Sequence, residues 1–229
     1  MLKLRHTEDS IPELGIDEAG RGPLWGPLVA AAVLWPPESE WTDRHRELAP
    51  KIQDSKKLSA KKRAAICKEI QELAKGWGVG MVSAEEIDSF GATKANCLAF
   101  RRAVDALLET QEGLGQRRLL LDGILRVYNL KENEEEVTIV DGDALYLSIA
   151  AASIVAKEVH DKWVVDWCKE NIAEAAKYDL LNCKGYGTAK HRAGVVKHGY
   201  TDLHRRLYLR KLIPDIVVSR CKMVAEEEV

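Results

Sequence analysis

Residues 15–27 read Gly15-Ile16-Asp17-Glu18-Ala19-Gly20-Arg21-Gly22-Pro23-Leu24-Trp25-Gly26-Pro27. An apolar stretch ends in two adjacent carboxylates and runs into a glycine-rich turn that holds one arginine. Adjacent carboxylates repel one another unless something positive sits between them, and hard divalent cations take carboxylate oxygens. Glycines remove side chains, so backbone N–H groups can approach an anionic or hydroxylated ligand closely. The combination points to metal-dependent chemistry on a phosphate-bearing substrate. A polar turn between two strands, where Asp and Gly are common, accounts for the same residues.

Two further acidic endings follow. An apolar run over 118–121 finishes on Asp122-Gly123, and another over 137–140 finishes on Asp141-Gly142-Asp143. If these strands are neighbours, Asp17, Glu18, Asp122 and Asp143 can converge. A two-ion site needs such a cluster, with ions ~3.5–4 Å apart clamping the attacking and leaving oxygens of a phosphodiester. Taken singly, each Asp-Gly pair is also an ordinary turn dipeptide.

The elements that must position these residues follow from periodicity and punctuation. Strands are expected over 14–17 and 28–35, joined by the glycine turn and closed by Pro36-Pro37. Ser59 can cap a helix through Leu73, stopped by Gly76, and 77–83 reads as a short strand. A long amphipathic helix is expected over 93–112, ended by Gly113, and an Ala-rich, largely buried helix over 145–167. Thr188 can cap a shorter helix closed by Gly199. Alternating strands and helices define an α/β class, in which functional groups collect at strand ends.

The chain has 229 residues and a formal net charge of −2, and its apolar and charged fractions are those of a globular protein. No repeat or long linker divides it, so one domain over 1–229 is expected. No apolar run approaches the ~18–20 residues of a membrane span, and the first residues lack the apolar core of a signal peptide. Five widely spaced cysteines without a CxxC pair argue against a zinc site or a disulfide framework. A cytoplasmic location is the expectation. Charge is unevenly spread: residues 184–211 carry eight Lys and Arg against Asp202, and Lys51, Lys56, Lys57, Lys61, Lys62 and Arg63 form a second basic cluster. Acidic excess lies in 132–136 and in Glu226, Glu227 and Glu228. Such asymmetry fits a polyanionic partner, and solvated helix faces look similar.

Five segments in order carry a family resemblance: Gly15-Ile16-Asp17-Glu18-Ala19-Gly20-Arg21-Gly22-Pro23-Leu24, Asp54-Ser55-Lys56-Lys57-Leu58, Leu121-Asp122-Gly123, then Gly142-Asp143 with Ser148-Ile149-Ala150-Ala151-Ala152-Ser153-Ile154-Val155-Ala156-Lys157, and Lys184-Gly185-Tyr186-Gly187-Thr188. Together they resemble ribonuclease HII, the type 2 ribonuclease H family. The resemblance implies a ribonuclease H-like fold, a mixed central sheet flanked by helices, over about 13–165. It also implies a C-terminal helical, substrate-binding extension over about 166–215, after which the sequence leaves an acidic tail over 216–229.

By the same resemblance, Asp17, Glu18, Asp122 and Asp143 would be the catalytic carboxylates and would hold two Mg²⁺ or Mn²⁺ ions, one activating water and one stabilising the leaving 3′ oxygen. Gly20, Arg21 and Gly22 would read the ribose 2′-hydroxyl through their backbone, and Tyr186 would stack on the neighbouring sugar. Lys56, Lys57, Lys184, Ser148 and Ser153 would contact phosphates. The implied substrates are RNA–DNA hybrids and duplex DNA with single ribonucleotides, cut on the 5′ side to leave 5′-phosphate and 3′-hydroxyl ends. A monomer is implied, and no sliding-clamp-binding peptide is evident over 212–229.

The sequence departs from the family pattern in four places. Cys183 replaces a histidine before Lys184, Asp141 stands where a basic or neutral residue is usual, Trp25 replaces a small residue, and His204-Arg205-Arg206-Leu207-Tyr208 replaces His-Arg-Arg-Ser-Phe. These departures motivate one alternative, a catalytically impaired nucleic-acid-binding module of the same fold. A phosphatase acting on small phosphate compounds is another, disfavoured by the extent of the basic segment 184–211.

Overall fold

A computed structural model describes residues 2–111 and 113–218. The acidic tail expected over 216–229 therefore lies almost wholly outside the described residues. Five strands form one mixed sheet: β1 (Glu13–Ala19), β2 (Leu28–Leu34), β3 (Gly76–Val82), β4 (Arg117–Asp122) and β5 (Glu134–Ile139). Their order is β3-β2-β1-β4-β5. The β1–β2 and β2–β3 pairs are antiparallel, whereas β1–β4 and β4–β5 are parallel. Every residue of β2 is buried, as an apolar strand covered on both faces must be.

Helices α1 (Asp43–Leu48), α2 (Ala60–Leu73), α3 (Ala84–Phe90), α4 (Ala92–Leu108) and α5 (Leu147–Glu170) cover the sheet. The alternation of β2 decides which face meets which helix. Ala31 and Val33 pack with α2 and α5 residues such as Ile70 and Ile154, while Ala30 and Ala32 pack with α4 residues such as Phe100 and Val104. The approach of α5 to β1 is close: a Cβ on Gly15 would lie 2.1 Å from the Ser148 carbonyl carbon. Glycine there lets the first turn of α5 rest on the strand that carries Asp17.

Beyond α5 come α6 (Ile172–Lys177), α7 (Leu180–Cys183), α8 (Ala189–His198) and α9 (Arg206–Leu209). They pack around Trp25, with Val164, Tyr178, Leu180, Val195 and Leu209. Trp25 is fully buried, its ring centroid 5.5 Å from that of Trp163 and 4.6 Å from that of Trp167. The glycine turn between β1 and β2 is thereby pinned into the C-terminal helices. Leu24 N–H donates to the Gly185 carbonyl, Gly26 N–H to Leu203, and Arg205 N–H to Leu24.

Several expected boundaries move. The strand at the first motif continues to Ala19, so Asp17 and Glu18 sit inside its last residues. A short helix, α3, precedes α4, and the expected single helix over 93–112 ends at Leu108. Ser83 and Glu86 form a reciprocal capping box at the start of α3. Gly76 opens β3, since α2 already stops at Leu73. β5 begins within the acidic run, at Glu134. Ser59 and Thr188 cap α2 and α8 as expected, accepting from Lys62 N–H and His191 N–H. No helix among the described residues is long and apolar enough to cross a membrane.

Candidate active site

Register brings the acidic strand ends together. Ile16 of β1 pairs with Leu121 of the parallel strand β4, so the next residues, Asp17 and Asp122, leave adjacent strands at the same edge. Asp143 is added by a 3₁₀ turn, Gly142–Ala144, that follows β5. Asp122 sets that turn: its Oδ1 accepts from Gly142 N–H at 2.7 Å and from Asp143 N–H at 3.4 Å. Asp141 enters the turn with a left-handed φ of 54°, which a short polar residue tolerates. Its side chain is exposed while Asp143 is buried.

Electrostatics show the four carboxylates acting on one another. Burial pushes Asp17 well above the usual carboxylate range, helped by the charges of Glu18 and Asp122 and opposed by the Ser153 hydroxyl. Burial also raises Glu18, against Arg21 and Asn96, with Asp122 pushing the same way. Asp143 is raised by burial, then by Asp122 and Asp54, with Asp141 adding to the effect. Among the described residues no three His, Cys, Asp or Glu side chains form a preassembled metal cage. Four like charges do not close on one another unaided. The donor set is nonetheless all hard oxygen and largely shielded from solvent, and its charged form is disfavoured until a cation arrives, so it suits a hard divalent ion.

Lys56 faces this cluster. Burial alone would lower its pKa, but the charges of Asp143, Asp17, Asp54 and Asp122 outweigh burial and raise it. Lys57 is exposed and stands 3.8 Å from Asp54. Ser148 and Ser153, expected to meet phosphates, are each only 4% exposed. Ser153 Oγ lies 2.9 Å from Ser55 Oγ and favours the charged form of Asp17. The first turn of α5 packs against Gly15, and both serines are buried in this structure.

Gly20, Arg21 and Gly22 form the turn after β1. Gly20 has a φ of 78°, and a Cβ there would lie 2.4 Å from His160 Cδ2. A Cβ on Gly22 would sit 3.7 Å from Tyr186 Cε1, so the ring of Tyr186 lines the same side of the turn. Tyr186 is 40% exposed, and Lys157 Nζ stands 5.6 Å from its ring centroid. Lys184 takes a left-handed φ of 50° and turns its ammonium back onto the Leu181 carbonyl.

Two groups escaped the sequence reading. Asn96 is fully buried on the apolar face of α4, beside Glu18; its amide favours the charged carboxylate, although neither amide atom reaches full hydrogen-bond geometry. A lone Asn between Ala95 and Ala99 was the available signal. Arg205 is fully buried, and burial draws its pKa down to about 10. Nothing in its basic surroundings distinguishes it from the exposed cations beside it. Of the departures, Trp25 fills the C-terminal core, and Cys183 Sγ sits 3.7 Å from His191 Nδ1.

The chain's overall arrangement is that of the ribonuclease H-like fold. The crystal structure of the ribonuclease H2 from Pyrococcus horikoshii OT3 superposes with a TM-score of 0.67 at 20% identity, covering 90% of this chain and 99% of that one. A Bst ribonuclease HIII crystallised with Mn²⁺ superposes with a TM-score of 0.62 at 21% identity, covering 87% and 68%. The family model for ribonuclease HII matches residues 14–211. Ribonuclease HII of Bacteroides thetaiotaomicron is 40% identical over 207 residues, 90% of this chain and 94% of its own length. The chain belongs to the ribonuclease HII family, and with it to the ribonuclease H hydrolases, which are endonucleases.

Proposed function

We propose that the protein is a metal-dependent endoribonuclease that cuts the RNA strand of RNA–DNA hybrids and the 5′ side of single ribonucleotides in duplex DNA. Its products carry 5′-phosphate and 3′-hydroxyl ends, and its role is removal of ribonucleotides from DNA. The observation that carries this reading is the convergence of Asp17 and Asp122 from paired strands with Glu18 and Asp143. These four carboxylates are the catalytic residues and would hold two Mg²⁺ or Mn²⁺ ions when substrate is bound. The bound ions would supply activation of water and stabilisation of the leaving oxygen. A Mn²⁺ complex of a protein of the same fold supports that choice of cation.

The remaining groups position the substrate. The backbone of 20–22 and the ring of Tyr186 line one side of the site, where a ribose 2′-hydroxyl can be read and a sugar stacked. Lys56, Lys57 and Lys184 meet phosphates, which fixes a duplex without reading sequence. The chain works as one type 2 ribonuclease H domain, acting as a monomer. Its four described cysteines are free, which fits work in the cytoplasm. Cleavage of a DNA duplex containing one ribonucleotide, with and without Mg²⁺ or Mn²⁺, tests the reading. Metal-dependent cutting 5′ to the ribonucleotide is expected, and duplex binding without cutting would favour the non-catalytic module instead.

A further inference from the structure

Arg205 is fully buried, yet among the described residues no carboxylate forms an ion pair with it, Asp88 acting only at longer range. Its guanidinium is spent on backbone carbonyls. Nη2 donates to Gly20 O at 2.7 Å, Nη1 to Arg21 O at 3.0 Å, and Nε to Gly26 O at 2.9 Å. Tyr208, 5.5 Å below the guanidinium by ring centroid, donates its hydroxyl to Arg21 O at 3.0 Å. A buried cation without a directly paired carboxylate is costly, so this placement calls for a reason beyond filling space.

Peptide geometry supplies one. A trans peptide points its C=O and the following N–H in opposite directions. Fixing the carbonyls of Gly20 and Arg21 on Arg205 therefore aims the N–H groups of Arg21 and Gly22 the other way. Among the described residues neither N–H has a protein acceptor, both residues are exposed, and Tyr186 stands beside Gly22. Two free donors beside an aromatic ring can donate to a sugar hydroxyl oxygen. Gly26 is followed by Pro27, which has no N–H, so that third bond only anchors the far end of the turn.

We infer that Arg205, with Tyr208, is a positioning residue that aims the Arg21 and Gly22 N–H groups and so sets discrimination between ribose and deoxyribose. This rests on the ribonucleotide-cutting function proposed above. Arg205 touches no substrate; it acts through the turn. Lysine cannot replace it, because an ammonium lacks the planar fork that spans three carbonyls.

The test is a ratio. Fluorescence anisotropy with Ca²⁺ as the only divalent ion gives Kd for an all-DNA duplex and for the same duplex with one ribonucleotide. A partly misfolded preparation changes both values together, so their ratio isolates discrimination from stability. For the wild type the ratio of all-DNA to ribonucleotide Kd is expected well above one. Arg205→Lys should lower it by about tenfold, the scale of one lost charge-assisted hydrogen bond, with all-DNA binding little changed. Tyr208→Phe, which removes one hydroxyl, should lower it less and serves as the deciding variant if Arg205→Lys does not fold. A wild-type ratio of one overturns the functional reading and this inference with it. A wild-type ratio above one, matched by the folded variants, overturns this inference alone.

Discussion

Asp17 and Asp122 leave neighbouring parallel strands side by side, each one residue beyond the Ile16–Leu121 register pair. That adjacency makes the carboxylate edge a place of stored repulsion in the protein without cations. Burial first, and then the charges of Glu18 and Asp122, drive Asp17 well above its ordinary range, so in the window between its unfolded and folded pKa the native state holds a proton that the unfolded chain has lost. Ionisation of Asp17 thus lowers stability as pH rises through that window. Asp17→Asn should raise the melting temperature in EDTA at neutral pH, by about 2–4 °C for each kcal/mol relieved. The same variant should lose cleavage by on the order of 10²-fold or more. A lower melting temperature in EDTA would show that Asp17 carries no such repulsion.

Asp143 and Asp141 flank Gly142 but face different surroundings. Asp143 is buried beside Asp122, whereas Asp141 is exposed and serves the left-handed turn. Asp143→Asn should abolish metal-stimulated cleavage, and Asp141→Asn should leave it within a few-fold, since Asn also accepts a left-handed φ. Metal titrations of both variants check this; equal loss would place Asp141 among the ligands.

His204 is fully buried against His191, with Nε2 atoms 3.1 Å apart, and burial lowers its pKa to about 3. Its contribution is complete above the unfolded value of ~6.5 and is lost as pH falls toward the folded value, because only the unfolded chain takes up the proton. Between pH 6.5 and 5 this one group should remove about 2 kcal/mol. The raised carboxylates act in the opposite sense, so the readout is the difference between wild type and His204→Gln. That difference should change with pH over this interval; a constant offset would mean the imidazole titrates normally.

Glu134 is inaccessible and neutralises two buried arginines, with Arg101 Nη1 at 2.7 Å and Arg117 Nη2 at 2.9 Å. Glu134→Ala leaves Arg117 without a carboxylate and Arg101 with only the half-exposed Asp105, and should cost about 3 kcal/mol. Urea unfolding measures it, and a loss under about 1 kcal/mol would mean solvent reaches the pair.

Lys57 is exposed and only loosely paired, so its charge is available to a phosphate. Replacing it with Gln should weaken binding of hybrid and DNA duplexes alike and flatten the slope of log K against log salt by about one. An unchanged slope would assign it to solvated surface.

Local rules reached the acidic strand ends because they sit where apolar runs stop, and the parallel register of β1 and β4 completed the geometry. Charge patterning was less readable. The acidic run at 134–136 is largely absorbed within the fold: Glu134 by Arg101 and Arg117, Glu135 by Arg118, and Glu136 by Val127 N–H. Likewise Arg63 is buried against Glu158 and Asp161, and Arg205 against carbonyls, though both count as cations of the basic clusters. Burial decides which charges face outward, and partners far apart in the chain decide burial.

Trp25 lies three residues beyond Gly22, inside an aromatic cluster with Trp163 and Trp167. Indole emission depends on local polarity and on nearby rings, so the protein carries an optical reporter joined by covalent bonds to the turn proposed to meet the sugar. Occupation of that turn should be visible as a change in intrinsic fluorescence, without a dye on either molecule, and stopped-flow mixing could then time substrate docking apart from strand scission.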